Sequence, residues 1–270
     1  MVYESPQALK AIHALIIDMD GVLWSGNTPA PGLSDFFGLL RHRSIRFRLA
    51  TNNPTRTPLQ YVQKLASMGV QVAPDEIITS ALVTAEYLAA SQPGASIYVI
   101  GQPALRQVLL DRGLNLSDGN RADCVVVGLD PLLCYEQLSE ATLLIRAGAR
   151  FIGCNPDVTL PSERGLLPGN GATLAFLQAS TGVAPLIIGK PERAMFDTAL
   201  AAMGSARANT ASLGDRLETD ILGARNAGLR SILVLSGATD RATLASSPVQ
   251  PDWVFDGIHD LAAAWRALPT

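Results

Sequence analysis

The sequence predicts an α/β fold in which a doubly wound, parallel-sheet domain is interrupted by a second α/β domain. Short apolar runs alternate with segments of helical period along the chain. The runs are apolar at nearly every position, which is typical of parallel strands covered by helices on both faces. About nine such runs occur, which is too many for one ordinary sheet in a chain of 270 residues.

Strands are predicted where these apolar runs occur. The first run, Ala14-Leu15-Ile16-Ile17, ends directly at Asp18, and the second covers residues 47–51. Later runs lie at residues 96–100, 124–127, 151–153, 186–188, 211–213 and 231–235. Residues 243–252, which contain two adjacent serines and two prolines, are predicted to form a surface loop before a short final strand and helix.

Helices are predicted between the strands, where apolar residues recur three or four positions apart. Residues 57–60 read Thr-Pro-Leu-Gln, a capping box with proline at the first helical position, and Gly69 is predicted to close that helix. Other helical patterns are Leu33, Phe36, Phe37 and Leu40; Leu138, Thr142 and Ile145; and Phe196, Leu200 and Met203.

The domain boundaries follow from where the chemical motifs lie. These motifs occur before about residue 80 and after about residue 185, whereas the middle block has strands but no comparable acidic motif. We therefore predict a core domain formed by residues 1–79 and 185–270, and an inserted domain formed by residues 80–184.

Composition excludes several classes of function. With 21 basic and 24 acidic residues, the net charge is −3. The overall electrostatic field therefore does not attract nucleic acid or an anionic membrane. No run of about 18 apolar residues could span a membrane, and the first residues lack the apolar stretch of a signal peptide. Three cysteines without metal-finger spacing indicate a reducing, cytoplasmic setting.

Carboxylates follow the first apolar run as Asp18-Met19-Asp20-Gly21. Ligands bind at the carboxyl ends of strands in open α/β sheets, and there one carboxylate could attack phosphorus while the other transfers a proton.

A second motif, Thr51-Asn52-Asn53, lies at the next strand end and offers a hydroxyl, two amides and backbone N–H groups that could bind an anion. The structural alternative for each motif is an ordinary turn.

Two further motifs follow later strands. Lys190, preceded by Gly189, could bind phosphate oxygens and hold a neighbouring carboxylate ionised. Asp215 and Asp220 offer hard oxygen ligands for Mg²⁺, one bound directly and one through water. The alternatives are a solvated lysine and acidic residues that favour a helix N-terminus.

Taken together and in this order, the four motifs resemble those of the haloacid dehalogenase superfamily of phosphohydrolases. The insert between the second and third motifs, with Gly21-Val22-Leu23-Trp24 and Thr51-Asn52-Asn53, resembles class IIA, the branch of NagD-like, para-nitrophenyl and phosphoglycolate/pyridoxal phosphatases. The resemblance implies a Rossmann-like core with an α/β cap and a Mg²⁺-dependent hydrolase of small phosphomonoesters that forms an aspartyl-phosphate.

The resemblance also implies a role for each motif residue. Asp18 corresponds to the nucleophile, and Asp20 to the general acid/base whose backbone carbonyl also binds metal. The implied metal site consists of Asp18, Asp20, Asp215 and Asp220. The implied phosphate and substrate contacts are Gly21, Thr51, Asn52, Asn53 and Lys190, together with Asn155 and Asp157 of the insert.

Within the insert, the segment between Asn155 and Gly171 is rich in glycine and proline and resembles the substrate-specificity loop of this branch. A plain surface connection is the alternative. The resemblance also makes a homodimer through the cap possible. Trp24 is predicted to pack the hairpin after the first motif, and His13 is predicted to be a surface residue without a catalytic role.

Other functions stay open at this stage. A phosphomutase or phosphotransferase could use the same core, and receiver-type signalling domains also present an aspartate at a strand end. A capped core kept only as a binding module is a third alternative. The sequence does not choose between pyridoxal phosphate, phosphoglycolate, sugar phosphates and nucleoside monophosphates, or between Mg²⁺ and Mn²⁺.

Overall fold

A computed structural model of the chain describes residues 3–162 and 165–269. Its strands, in chain order, are β1 (Ala14–Ile17), β2 (Trp24–Ser25), β3 (Thr28–Pro29), β4 (Arg46–Thr51), β5 (Ile77–Thr79), β6 (Ser96–Ile100), β7 (Asn115–Leu116), β8 (Cys124–Val127), β9 (Arg150–Gly153), β10 (Thr159–Ser162), β11 (Gly165–Pro168), β12 (Leu186–Ile187), β13 (Thr210–Gly214), β14 (Arg230–Val234) and β15 (Trp253–Phe255).

The α-helices of the described residues are α1 (Leu33–His42), α2 (Pro58–Ser67), α3 (Ser80–Ser91), α4 (Pro103–Asp111), α5 (Tyr135–Arg146), α6 (Asn170–Thr181), α7 (Arg193–Met203), α8 (Leu222–Asn226), α9 (Arg241–Ser246) and α10 (Ile258–Arg266). None of them is long and apolar enough to cross a membrane.

The chain divides into two compact units. Unit 1 comprises residues 1–51, 58–78 and 190–270, and unit 2 comprises residues 52–57 and 79–189. Each unit contains a sheet with parallel pairing, so the predicted α/β fold with parallel sheets is confirmed.

The sheet of unit 1 has the strand order β5-β4-β1-β13-β14-β15. β1 lies in the middle and pairs in parallel with β4 and β13. All four of its residues are buried, which is why this strand reads as an unbroken aliphatic run. Helices α1 and α10 add Phe36, Phe37 and Trp265 to the same core.

The sheet of unit 2 has the strand order β12-β9-β8-β6-β7. Its central strand β8 is buried at every position and pairs in parallel with β6 and β9. Helices α5 and α6 cover this sheet, with Ile145, Leu174 and Leu177 in a core that also includes Phe151. Unit 2 therefore has a hydrophobic core of its own.

Two sequence-based predictions need correction. Residues 243–252 are not all loop, because α9 covers Arg241–Ser246; Asp240 caps this helix by accepting a hydrogen bond from Thr243 N–H. The helix buries only Leu244, so it carries no apolar periodicity.

The segment between Asn155 and Gly171 is also not a plain loop. β10 and β11 form an antiparallel hairpin, and α6 begins at Asn170. The hairpin was missed because β11 is exposed at all four positions and shows no buried alternation. Residues 163–164 of the predicted loop lie outside the described residues.

Candidate active site

Lys190 is the centre of a buried cluster of charges in unit 1. Its side chain is 3% exposed, and its ammonium donates hydrogen bonds to Asp18 Oδ1 at 2.5 Å and to Asp220 Oδ1 at 2.7 Å. A third bond reaches the carbonyl of Ala50 at 3.0 Å, in β4. Asp18 itself continues the ladder of β1, because its N–H donates to the Leu213 carbonyl of β13 at 2.8 Å.

Burial and charge act against each other in this cluster. Burial raises the pKa of Asp18 well above its ordinary value, and the Lys190 ammonium opposes that rise. For Lys190, burial alone would lower the pKa, but Asp18 and Asp220 outweigh it and raise the pKa above the ordinary value. The ammonium therefore stays charged, and it opposes the protonation of Asp18 that burial favours.

The segment after β13 carries Asp215, which directly follows the strand, and Asp220, which lies in a single π-helical turn, residues 217–221. Both Asp220 N–H and Ile221 N–H donate to the Arg216 carbonyl, while Asp220 Oδ2 accepts from Arg216 N–H at 3.1 Å. A Cβ atom at Gly214 would lie 2.2 Å from the Cβ of Asp220, so only glycine lets the turn fold back this closely. Turns of this kind occur often at functional sites.

Asp215 is buried, and only one of its two carboxylate oxygens accepts a hydrogen bond within the described residues. Its Oδ2 accepts from Ala238 N–H at 2.7 Å, whereas Oδ1 has no hydrogen-bond partner within the described part of the chain. Burial, followed by repulsion from Asp220, raises the pKa of Asp215 to about 7. An orphaned buried carboxylate oxygen is costly unless a ligand satisfies it.

Three carboxylates converge here. One oxygen each from Asp18, Asp215 and Asp220 lie within 4.8 Å of one another. This is close to the separation of about 4 Å between opposite oxygen ligands of Mg²⁺. The orphaned Oδ1 and the all-oxygen donor set both fit a hard divalent cation.

Asp20 lies outside that carboxylate cluster and is exposed. The indole N–H of Trp24 donates to Asp20 Oδ1 at 2.7 Å, and Gly21 N–H donates to the Trp24 carbonyl at 2.7 Å. Gly21 has a φ of +86°, and a Cβ there would lie 2.3 Å from Asp215 Oδ2, so both the turn and the carboxylate behind it require glycine.

Thr51 ends β4, next to β1, and is 2% exposed. Its strand end lies at the same edge of the sheet as those of β1 and β13, since the three strands are parallel. The structure therefore brings Thr51, Asp18, Lys190, Asp215 and Asp220 to one edge of unit 1.

The remaining predicted contacts belong to unit 2. Asn52 donates to Asp157 Oδ1 at 3.1 Å, and its carbonyl accepts from Asn155 Nδ2 at 2.7 Å and from Ser80 Oγ at 2.6 Å. Asn155 also accepts from Asp157 N–H at 3.1 Å. The side-chain amide of Asn155 therefore makes hydrogen bonds within unit 2 through both its nitrogen and its oxygen, and the side chain is buried.

Asn53 forms the turn that the sequence allowed as its structural alternative. Its Oδ1 accepts from both the N–H and the hydroxyl of Thr55, at 3.0 and 2.6 Å. An Asx-type turn of this kind fixes the backbone after the second motif without needing a ligand.

Sequence reasoning missed the segment of residues 236–239. Ser236 donates to the Gly21 carbonyl at 2.8 Å, and the N–H groups of Ala238 and Thr239 donate to Asp215. The available signal was its position directly after β14, at the carboxyl end of another central strand. Trp24 is buried in the hairpin as predicted, but its bond to Asp20 was not foreseen.

The chain is similar to known hydrolases both in family profiles and in individual relatives. A family profile described as haloacid dehalogenase-like hydrolase matches residues 15–115, and a second, HAD-hydrolase-like profile matches residues 187–261. An acid sugar phosphatase of Staphylococcus epidermidis is 39% identical over 251 residues, which is 93% of this chain and 97% of the relative.

Two solved structures extend the comparison. The para-nitrophenylphosphatase of Thermotoga maritima superimposes with a TM-score of 0.91 at 36% identity, covering 94% of this chain and 98% of that one. A glycerol phosphate phosphatase of Mycobacterium tuberculosis in complex with magnesium gives a TM-score of 0.88 at 34% identity, covering 96% of this chain and 78% of that one.

Proposed function

Because the chain belongs to the haloacid dehalogenase-like hydrolases, in their NagD-like class IIA branch, and is a phosphoric monoester hydrolase, we propose that Asp18 is its nucleophile and forms an aspartyl-phosphate. The observation that supports this best is the buried cluster in which Lys190 holds Asp18 and Asp220 beside the orphaned Asp215 oxygen. The substrate is a small phosphorylated molecule.

The cation that we propose for the carboxylate cluster is Mg²⁺, held by Asp18 and Asp215, with Asp220 acting through a bound water and the backbone carbonyl of Asp20 as a further ligand. When bound, Mg²⁺ would supply the positive charge that offsets repulsion between a carboxylate and a phosphate dianion. Support comes from the oxygen-only donor set and from the magnesium complex of the glycerol phosphate phosphatase.

In the proposed reaction, a carboxylate oxygen of Asp18 attacks phosphorus and the bond from phosphorus to the leaving oxygen breaks. The Asp20 carboxyl gives its proton to that oxygen, and the alcohol departs. Water then attacks the phosphoenzyme, Asp20 takes a proton from it, and inorganic phosphate leaves with Asp18 restored. Lys190 and Thr51 hold the phosphoryl group throughout, and Gly21 allows the turn beside the site to pack against Asp215.

For the substrate class we propose small sugar or polyol phosphates, supported by the relatives named acid sugar phosphatase and glycerol phosphate phosphatase. We further propose that unit 2 acts as the cap that selects the leaving group. Asp157 and Asn52 are the candidate contacts, whereas the internal bonds of Asn155 favour a positioning role for that residue. Pairing of two caps and a cytoplasmic location stay predictions.

The test is Asp18→Asn, which keeps the side-chain size but removes the attacking charge. We expect kcat/KM on para-nitrophenyl phosphate and on glycerol phosphate to fall by about 10³ or more. The matched control is Asp35→Asn, an exposed aspartate on α1, which should keep wild-type activity. Activity of Asp18→Asn within tenfold of the wild type would refute the assignment.

The same assay separates the alternative functions. A phosphatase releases many phosphates per chain, a receiver-type domain releases about one, and a mutase returns an isomeric sugar phosphate with little free phosphate. Product analysis by phosphorus NMR on glucose phosphates distinguishes these outcomes.

A further inference from the structure

Unit 1 contains a cavity of about 560 Å³ at the end of its sheet opposite the charged cluster. Its lining includes His13, which directly precedes β1, and Ile45, which directly precedes β4. Asp18 and Thr51 lie at the other ends of the same two strands. The cavity is therefore separate from the reaction centre, although both are built on β1 and β4.

The rim of this cavity carries basic side chains, of which Lys10 and Arg43 supply positive charge at neutral pH. Lys10, His13 and His42 are exposed there, and Arg43 is half-buried and donates to the Leu268 carbonyl at 2.8 Å. The described lining residues include no aspartate or glutamate. None of these four side chains forms an ion pair within residues 3–162 and 165–269, although the whole chain has more acidic than basic residues.

The floor of the cavity is apolar. Leu9, Ile12, Ile45 and Trp265 are all buried and line it. The indole of Trp265 is 1% exposed and its N–H already donates to the Leu9 carbonyl at 3.4 Å, so this residue closes the floor without offering a free donor. An apolar floor beneath a few converging polar groups is the usual construction of a small-molecule site, and the volume lies within the common range of about 300–1,000 Å³.

We propose that this cavity binds a small organic anion with an apolar body, such as an aromatic carboxylate or sulfonate. The anionic group would pair with the rim, where Arg43 offers a planar fork and Lys10 a point charge. The apolar body would lie against Pro269 and the aliphatic stem of Lys10, above a floor that is itself almost closed to water. A merely solvated basic rim would instead bind no such ligand with a defined stoichiometry.

The test uses anilinonaphthalene sulfonate as probe and phenylnaphthylamine, which lacks the sulfonate, as its neutral counterpart. Isothermal titration calorimetry on the full chain should show one sulfonate per chain, bound at least tenfold more tightly than the neutral probe. In the double variant Lys10→Glu/His42→Glu, the Kd for the sulfonate should rise at least tenfold. Both residues are exposed and outside the catalytic cluster, so hydrolysis of para-nitrophenyl phosphate should be unchanged.

The matched control is Arg241→Glu/Arg266→Glu, which reverses two exposed cations of unit 1 outside the cavity lining. This control should change the sulfonate Kd less than twofold. If the charge-reversed variant loses its fold by circular dichroism, the neutral variant Lys10→Gln/His13→Gln takes its place, with an expected rise of at least threefold. Equal affinity for both probes, or an unchanged sulfonate Kd in the rim variants, would overturn the proposal.

Discussion

The exposed carboxylate of Asp20 is held by a rigid donor. The indole of Trp24 that binds it is 1% exposed and stacks on Tyr61, with ring centroids 6.4 Å apart. The ammonium of Lys64 lies 4.2 Å from the centre of the same indole and donates to the Gly26 carbonyl at 2.9 Å. A proton donor must be oriented toward the leaving oxygen, so this packing suits the role proposed for Asp20.

Replacing Trp24 by phenylalanine should separate orientation from packing. Trp24→Phe keeps an aromatic ring but removes the N–H that fixes Asp20. We expect kcat on glycerol phosphate to fall about tenfold, because a hydrogen bond to a charged group contributes about 1.5–3 kcal/mol and only part of it acts in the transition state. The loss on para-nitrophenyl phosphate should be smaller, since its leaving group needs less protonation.

The control for that variant is Trp253→Phe. Trp253 is also buried, and its indole N–H donates to the Ser5 carbonyl, far along the chain from Asp20. Both variants should lose comparable thermal stability, but only Trp24→Phe should alter the dependence of kcat on the leaving group. Equal losses on the two substrates would mean that Trp24 only supports the fold.

Asp215 should make the stability of the metal-free protein depend on pH. Burial raises its pKa from 3.8 to about 7, so the folded state binds this proton more tightly than the unfolded state does. The resulting stability is fully present below about pH 4 and is lost as the pH rises through about 7. The raised pKa of Asp18 acts in the same direction.

Asp215→Asn removes that titration. In EDTA, the variant should melt at a higher temperature than the wild type at pH 8, and the difference should shrink toward pH 5. Asp197→Asn, which changes a half-exposed carboxylate paired with Arg207, serves as the control and should follow the wild-type slope. A difference in Tm that stays constant from pH 5 to pH 8 would contradict the raised pKa of Asp215.

At the scale of secondary-structure elements, the sequence pattern predicted the strands that are buried on both faces. β1 and β8 were placed to the residue because each consists only of buried apolar positions. A hairpin after the first motif was predicted, but its strands β2 and β3 were not assigned, because each has two residues and little alternation. β5 was also missed, being three residues long at the boundary between the units.

The same logic explains which site residues could be found. Asp18 follows β1 and Thr51 ends β4, so strand pattern alone places these two residues at one edge of a sheet. The run before Lys190 forms β12 in the sheet of unit 2, so the bond of Lys190 to Asp18 could not be derived from that pattern. The bonds of Ala238 and Thr239 to Asp215 come from backbone N–H groups, which leave no residue-type signal. The buried position of Asn155 depends on Asn52, 103 positions away, and such a long-range contact cannot be read from local pattern.

Helix α6 is tied to its unit by its first residue. Asn170 is 1% exposed and donates to the Val127 carbonyl at 3.1 Å and to the Asn155 carbonyl at 2.8 Å. Asn170→Ala would leave two buried carbonyls without this donor, so we expect a loss of about 1–3 kcal/mol in the free energy of unfolding. Denaturant titration followed by circular dichroism measures it.

The control for Asn170→Ala is Asn115→Ala, in β7. Asn115 is exposed, and its side chain makes one bond, to the Gly94 carbonyl at 2.8 Å, so its removal should cost less than about 1 kcal/mol. A similar loss in the two variants would show that the bonds of Asn170 do not stabilise the start of α6.

At the scale of the whole molecule, the two units have separate hydrophobic cores but unequal roles in metal binding. All three carboxylates of the proposed site belong to unit 1. A ligand stabilises the structure that forms its site by RT ln(1 + [L]/Kd), which is about 2.7 kcal/mol at a hundredfold excess over Kd. The stabilisation should therefore be confined to unit 1, if the units open independently.

Hydrogen exchange can measure this difference directly. With Mg²⁺ at a hundredfold excess over its Kd, the amides of β1 and β13 should exchange about 100-fold more slowly than in EDTA, which corresponds to the same free energy. The amides of β6 and β8 should exchange equally fast in both conditions, because opening unit 2 breaks no metal ligand. In Asp215→Asn the effect of Mg²⁺ on β1 should largely disappear, since one direct ligand is lost. Equal slowing of β1 and β8 would show instead that the chain opens as one cooperative body.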